Sequence, residues 1–222
     1  MQTRTGLYFW YTMPWAYAQE VLKSGFLHME TSFSAAALDS YAMRITNGVA
    51  MLGGILTLPA LFLYLSGLLV AGVALTGTII AIAIALTLAV WLTLNYAVQP
   101  VAYVVTSDTL VVRRRWARAL RIPFKQILGV SFAGALADVP RFGLRWSFNA
   151  GVFGYHGPFQ LDPYGKVFFA ATNRERLVAV ARYDAPPLII SPARPREFVE
   201  TFREALLKSA SAEQDAKPEP SR

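Results

Sequence analysis

Three shortages limit what this chain of 222 residues can do. It contains no cysteine, which excludes disulfides, thiolate nucleophiles and cysteine-based metal sites. It has only two histidines, His28 and His156, whereas most catalytic zinc sites use three protein ligands. No charged residue or histidine occurs from Ile45 to Ser107, a run of 63 residues. The first two shortages argue against thiol and metal chemistry, and the third indicates a membrane.

The uncharged run is long enough to cross a bilayer twice, because one spanning helix needs about 20 apolar residues. We predict a transmembrane helical hairpin over residues 45–98, with spans at about 45–65 and 73–97. Tyr96 falls near the end of the second span, where amphipathic rings prefer the headgroup level. The chain is therefore predicted to be an integral membrane protein.

The two ends of the chain look unlike the middle. Residues 1–44 form an aromatic and polar segment without the apolar stretch and cleavage site of a signal peptide. Residues 1–28 are interpreted either as an interfacial segment or as an upstream extension of a gene that begins at Met29. Residues 209–222 are polar and contain proline, so we predict a disordered tail there.

Charge is placed asymmetrically along the chain. Residues 1–98 carry three basic and three acidic side chains, whereas residues 99–222 carry 18 basic and 11 acidic ones. Basic residues close to a span set membrane orientation, and Arg113–Arg118 follow the second span closely. The C-terminal part and both termini are therefore predicted to lie on the cytoplasmic side.

Residues 99–208 are predicted to form a β-domain, because short β-branched and aromatic runs alternate with turn signals. A helix over about 193–208 closes it, with Ser191 as a plausible N-cap and one apolar face formed by Phe198, Phe202, Ala205 and Leu206. The predicted strands are 101–106, 109–115, 120–124, 127–132, 143–148, 151–160, 167–172, 177–182 and 188–190.

Two segments carry a resemblance to a known family. They are "YVVTSDTLVVRRRWARALRIPFKQI" (Tyr103–Ile127) and the later run 153–202, with its Gly-aromatic-Gly strand, its "ATNR" turn and its "ISP" before a helix containing "EFV". Over residues 36–208 the chain resembles the bacterial pleckstrin-homology (PH-like) membrane proteins. The resemblance implies an α+β membrane protein: a two-helix transmembrane hairpin, then a PH-like antiparallel β-sandwich or barrel with a C-terminal capping helix.

The resemblance also implies attachment to the bacterial inner membrane, and it implies no catalytic residue. We predict no cofactor and no metal. An OB-like five-stranded barrel after the hairpin is the alternative fold.

The stretch 151–159, "GVFGYHGPF", contains the features that most suggest a site. Its glycines do not match the GxGxxG phosphate-binding pattern, and His156 has no sequence signature of a nucleophile and base around it. We interpret the glycines as bends in a small sheet. Phe153, Tyr155 and Phe159 are then a candidate protein-interaction strand.

A basic cluster is the clearest functional signal. Between positions 113 and 145 the sequence contains eight basic residues and one acidic residue, Asp138. The basic residues are Arg113, Arg114, Arg115, Arg118, Arg121, Lys125, Arg141 and Arg145. They could set topology only, lie on the anionic leaflet, bind a specific anionic headgroup or acidic protein segment, or bind nucleic acid. Membrane anchoring makes nucleic acid the least favoured, and we predict none.

We therefore predict a non-catalytic, membrane-anchored interaction module on the cytoplasmic face. The basic cluster orients it on anionic phospholipid, and its partner is another protein or a second copy of the chain. The alternative function is that of an accessory subunit of a membrane enzyme or transporter.

Overall fold

The computed structural model describes residues 30–65, 72–134, 149–161 and 165–215. The helices in these ranges are α1 (Ser40–Leu65), α2 (Gly72–Val98) and α3 (Pro195–Asp215). The strands are β1 (Thr31–Ser34), β2 (Pro100–Val105), β3 (Thr109–Arg114), β4 (Leu120–Pro123), β5 (Ile127–Phe132), β6 (Asn149–Ala150), β7 (Tyr155–Leu161), β8 (Gly165–Ala171), β9 (Val178–Arg182) and β10 (Leu188–Ile190).

The strands form two sheets. The first has the order β1-β2-β3-β4 and the second the order β5-β9-β10-β8-β7-β6. All pairs are antiparallel except β8 with β10, which run parallel with Leu188 opposite Phe168. The antiparallel sheets were predicted, and the one parallel pair arises because the chain passes through β9 before it returns to lie beside β8.

The main core lies between the two sheets and under α3. The inward side of β3 contributes Leu110 and Val112, and α3 contributes Phe198 and Phe202, all of them fully buried. Alternation of buried and exposed residues along β3 is what a half-buried strand requires. The predicted apolar face of the closing helix is thus in the core. The helix is longer than predicted and continues to Asp215, so part of the predicted tail is helical.

Strand β1 precedes the helices, yet it pairs with β2, which follows them. Phe33 lies opposite Tyr103 in this antiparallel pair, and it packs edge-on against Phe198 with ring centroids 5.2 Å apart. The helices α1 and α2 are therefore an insertion between two neighbouring strands. The strand residues 31–34 were predicted to belong to the N-terminal segment, because "TSFS" is too short to show a strand pattern.

Helices α1 and α2 are long and pack against each other. α1 begins at Ser40, rather than at Ile45, and includes Arg44 and Pro59. Within the described ranges, one helix is long and apolar enough to cross a membrane, at Gly77–Val98, with a mean hydropathy of 2.3. The predicted pair of spans is therefore not confirmed by length and composition.

Two local predictions need correction. The strand predicted at 151–160 begins only at Tyr155, because residues 151–154 form a bend in which Gly151 and Gly154 have positive φ angles. Ser191 does not cap α3: its hydroxyl accepts hydrogen bonds from the backbone N–H groups of Thr172 and Asn173. The strand predicted at 143–148 lies outside the described residues.

Candidate functional site at the helix–sheet junction

The end of α2 is joined directly to the first sheet. Gln99 alone separates α2 from β2, and the turn after β3 covers the end of the helix. The backbone N–H groups of Trp116 and Ala117 both donate to the carbonyl oxygen of Ala97, at 3.0 and 2.9 Å. Helix ends leave their last carbonyls without intrahelical partners, and here the β3–β4 turn supplies them. The connection is therefore rigid.

Arg115 strengthens this connection. Its backbone N–H donates to the carbonyl of Gln99 at 3.0 Å, and its Nε donates to Gln99 Oε1 at 3.2 Å. The guanidinium carbon lies 4.4 Å from the centre of the Tyr96 ring. A cation is favoured both over an aromatic face and beside the negative end of a helix dipole. The position of Arg115 is thus fixed by the helix end.

Aromatic rings surround the same point. Tyr96 packs edge-on against Trp116 and Phe153, with ring centroids 4.9 and 5.1 Å apart. Trp116 nevertheless remains 67% exposed. We call Tyr96, Arg115, Trp116 and Phe153 the junction cluster. Exposed aromatic and basic side chains at the end of an apolar helix are typical of a membrane–water interface.

The bend before β7 ties the second sheet to both helices. Phe153 has a φ of 53°, which is unusual for a bulky residue. Its N–H donates to Thr46 Oγ1 on α1 at 2.8 Å, and its carbonyl accepts from His156 Nε2 at 3.2 Å. Its ring meets α2 at Tyr96. These contacts hold Phe153 in its unfavourable backbone conformation.

Asp39 makes a second tie at the start of α1. Its Oδ1 accepts from the N–H of Ala42 at 2.7 Å, which caps the helix. Its Oδ2 accepts from the Tyr155 hydroxyl at 3.0 Å and from the N–H of Arg174 at 3.1 Å. Asp39 is 8% exposed. One buried carboxylate thus joins α1 to two parts of the second sheet.

A buried polar network continues this tie. The Tyr103 hydroxyl donates to the carbonyl of Ala170 at 2.8 Å and accepts from the N–H of Ser191 at 3.2 Å. Thr172 Oγ1 donates to the carbonyl of Ala36. Burial raises the pKa of Tyr103 to about 12, so it remains a neutral donor. The network fastens residues between β1 and α1 to both sheets, which is a structural role.

A cavity of about 390 Å³ lies between the last turn of α2 and strands β7 and β8. Apolar residues form most of its lining, and Arg114 and His156 are its charged or titratable members. Burial lowers the pKa of Arg114 from its ordinary value. Burial, and secondarily the charge of Arg114, lowers the pKa of His156 to about 4, against the opposing effect of its hydrogen bond to Phe153. His156 is therefore neutral at pH 7.

The structure separates the predicted basic cluster into several places. Arg114 and Arg115 lie at the junction, with exposed Arg118 in the adjoining turn. Arg113 points from the outer side of β3 and forms an ion pair with Glu30 at 2.7 Å. Arg121 is exposed on β4, opposite Val111.

Lys125 lies away from the junction. It follows β4, whose Pro123 pairs with Thr109 at the start of β3. β3 has six residues, so Arg114 at its last position lies five steps from Thr109, a distance of about 17 Å along a strand. Arg141 and Arg145 lie outside the described residues. The eight positions therefore do not form one site within the described part of the chain.

The predicted interaction strand is wrong for two of its three residues. Tyr155 and Phe159 are 1% and 2% exposed and belong to a second core, between the six-stranded sheet and the start of α1. Phe153 is half-buried and contacts Tyr96. The error arose because β7 is covered by Tyr41 and Ala42 at the start of α1, which were predicted to belong to the N-terminal segment.

Several residues of the junction were not predicted. Gln99, Asp39 and Thr46 act through contacts with residues distant in sequence, so no local pattern reveals them. Only Trp116, within "RRRWAR", carried a local signal, since an aromatic among basic residues is typical of an interface.

A comparison with protein families identifies the β-domain. Residues 101–206 match the family model described as "Bacterial PH domain". Those residues include β2 apart from Pro100, β3 to β10 and most of α3, so this part of the chain is a bacterial PH domain. No curated protein and no solved structure matches the chain. The predicted resemblance is confirmed over these residues, and the OB-like alternative is set aside.

Proposed function

We propose that the protein is a non-catalytic interaction module, anchored in the bacterial inner membrane by α1 and α2, with its PH domain held against the cytoplasmic leaflet. The observation that carries this proposal is the pairing of β1 with β2 on either side of the two helices. The chain leaves the sheet after β1 and returns to it at β2. If α2 crosses the bilayer, α1 crosses it as well.

The character of α2 supports a lipid environment. Only 11% of its apolar window is buried against the rest of the protein, which is unlike the core helix of a soluble domain. Threonine hydroxyls of α2 form their hydrogen bonds within the helix: Thr87 and Thr93 donate to the carbonyls of Ala83 and Ala89, each at 2.8 Å. A helix in lipid has no water to provide such partners.

The length of α1 fits the same interpretation. Its 26 residues and the 27 of α2 each correspond to about 40 Å of helix, against a hydrocarbon core of about 30 Å. Large apolar side chains on α1 are also exposed, among them Met51, Leu58 and Phe62. Arg44 lies near the start of the helix, toward the PH domain, where a cation reaches the headgroup level.

Because the junction is rigid, we propose that the basic residues orient the PH domain on the membrane and are not needed to recruit it there. Each basic residue near an anionic leaflet contributes about 1 kcal/mol, and Arg115 and Arg118 lie beside the helix end. The helices already anchor the domain. The backbone contacts to Ala97 set the angle of the domain, and the basic turn matches that angle to the charged headgroups.

The end of the domain farthest from the junction is the surface we assign to a protein partner. Leu128 and Leu207, 57% and 70% exposed, line a cleft of about 680 Å³ there. Exposed large apolar residues grouped in a cleft are typical of an interaction surface. An accessory subunit of a membrane enzyme or transporter would use the same surface. Purifying the intact protein from membranes and identifying the proteins bound to it distinguishes an interaction module from an accessory subunit, since only the latter copurifies with a membrane enzyme or transporter.

Depth measurements test the placement of the domain. The chain has no cysteine, so Ala119→Cys beside the junction and Leu207→Cys at the far end can each carry a single dye in full-length protein. In phospholipid nanodiscs with nitroxide-labelled headgroups, we expect strong quenching at position 119 and little at position 207. Equal quenching at both positions, or the reverse order, would contradict the proposal.

Charge reversal tests the role of the basic turn. Arg118→Glu should reduce quenching at position 119 in nanodiscs that contain anionic lipid and leave it unchanged in zwitterionic ones. Arg203→Glu, on α3, is the matched control and should have no effect in either. An equal effect of both variants would contradict the proposed role of the basic turn in orienting the domain on anionic lipid.

A further inference from the structure

The junction cavity combines an apolar interior with one unmatched charge. Leu94, Ala97 and Val98 line it from α2, and Pro158 and Phe168 line it from the second sheet. Its volume of about 390 Å³ falls in the range of about 300–1,000 Å³ found for small-molecule sites.

Arg114 enters this cavity because of its place in β3. Side chains alternate along a strand, and Arg114 shares the inward side with Leu110 and Val112. The guanidinium is half-buried, and no acid or carbonyl within the described residues lies at hydrogen-bonding or ion-pair distance from it. Partial burial of a charge costs free energy that a bound anion offsets, so this half-buried arginine favours an anion.

The other polar side chains of the cavity, Asn95 and His156, do not supply the anion: Asn95 is a neutral amide whose Nδ2 donates to the carbonyl of Trp91. His156 is 9% exposed and is neutral at pH 7, and its Nε2 donates to the carbonyl of Phe153. The cavity therefore presents one positive charge together with mostly apolar walls. A guanidinium binds phosphate through two parallel hydrogen bonds, and the walls suit hydrocarbon.

The location of the cavity indicates which molecule supplies both a phosphate and a hydrocarbon chain. It lies at the end of α2, beside Tyr96 and Trp116, where headgroups meet acyl chains if the helix spans the bilayer. Leu94 lines the cavity and is 54% exposed on the surface of α2, so the cavity adjoins the lipid-facing side of the helix.

We propose that the junction cavity binds one anionic phospholipid of the cytoplasmic leaflet, with its phosphate on Arg114 and an acyl chain against Leu94, Val98 and Phe168. This site rests on the proposed membrane anchoring but is distinct from the exposed basic turn. The turn responds to the charge of the leaflet as a whole, whereas the cavity holds a single lipid in a stoichiometric complex.

Lipid titration of the full-length protein in a neutral detergent tests the site. Phosphatidylglycerol and phosphatidylcholine are added separately, and native mass spectrometry counts the lipids that each chain retains. We expect saturable binding of one phosphatidylglycerol and no saturable binding of phosphatidylcholine. Equal retention of the two lipids, or retention without saturation, would overturn the proposal.

Three variants distinguish lipid binding in the cavity from charge attraction by the basic turn. Arg114→Gln removes a charged hydrogen-bond donor and should weaken phosphatidylglycerol binding by at least about 10-fold. Ala97→Leu fills the cavity without changing charge and should weaken binding similarly. Arg118→Gln loses the same charge outside the cavity and should bind within about 2-fold of wild type. Wild-type binding by both cavity variants, or an equal loss in Arg118→Gln, would overturn the proposal.

The melting temperature of each variant is compared with that of wild type, so that weaker lipid binding is not mistaken for loss of folding. Ala97→Leu and Arg114→Gln also change different elements, α2 and β3, so a folding defect in one does not affect the other. The result also separates the two proposals. If position 119 lies at the headgroups and no lipid binds with saturation, only the cavity site fails. If position 119 lies far from the headgroups, the proposed placement itself fails.

Discussion

Asp39 offers the sharpest test of how the helices are held on the PH domain. The perturbation is Asp39→Ala in the full-length protein. The substitution removes one acceptor from three donors: the N–H of Ala42, the hydroxyl of Tyr155 and the N–H of Arg174. Because these donors belong to α1 and to two parts of the second sheet, the loss acts on the connection between them.

The magnitude follows from the contacts. A hydrogen bond to a charged group contributes about 1.5–3 kcal/mol, and loss of a helix N-cap costs about 1 kcal/mol. The three bonds share one side chain, so their contributions are not additive. We expect Asp39→Ala to lower the free energy of unfolding by about 4 kcal/mol. Asp39→Asn keeps a capping oxygen, and Tyr155→Phe removes one bond, so each should lose about 1–2 kcal/mol.

The assay is thermal unfolding of purified full-length protein in a mild detergent, followed by circular dichroism. For a chain of this size, 1 kcal/mol shifts the melting temperature by about 2–4 °C, so Asp39→Ala should melt about 10 °C lower. The two conservative variants should lie between it and wild type. A melting temperature for Asp39→Ala within about 2 °C of wild type would refute the tie between α1 and the sheet.

Three other substitutions test the fold. Gly154→Ala should destabilise by about 2 kcal/mol or more, since φ is +119° and a Cβ would lie 2.7 Å from a carbonyl oxygen of β8; Gly129→Ala, where a Cβ meets nothing within 4 Å, should not. Phe33→Ala should cost about 3 kcal/mol because β1 completes the core, whereas exposed Phe132→Ala should change stability by less than about 0.5 kcal/mol; equal effects would exclude β1 from the core. His156 has a pKa of about 4 when folded and 6.5 when unfolded, so the unfolded chain takes up its proton first as the pH falls. Wild type should therefore lose about 2 kcal/mol between pH 7 and pH 5 that His156→Gln retains, and parallel pH profiles of unfolding would count against a buried neutral histidine.

Much of the architecture could be predicted from local patterns. The run without charges predicts long apolar helices, and the short apolar runs after Pro100 correspond to β2 to β5 and β8 to β10. The aromatic face of α3 was also predictable, since Phe198 and Phe202 follow helical spacing and both lie in the core. These features depend on residues close together in sequence.

What could not be predicted depends on distant contacts. β1 is a strand only because β2 lies beside it, and Phe33 and its partner Tyr103 are 70 positions apart in the sequence. The same holds for the buried surface of β7, which α1 covers through Ala42 and Tyr41. The basic residues were identified correctly as a run, but the alternation of β3 turns Arg114 inward and Arg113 outward.

Cysteine accessibility in intact cells tests whether α1 and α2 cross the membrane as a pair. The cysteine-free chain allows Gly67→Cys, between the helices, and Leu207→Cys, at the far end of the PH domain, to be probed one at a time with a membrane-impermeant maleimide. The account predicts that Gly67→Cys reacts in spheroplasts and that Leu207→Cys reacts only after the membrane is permeabilised. Reaction of both positions in intact spheroplasts, or of Leu207→Cys alone, would contradict a helical pair that crosses the membrane and returns to the sheet.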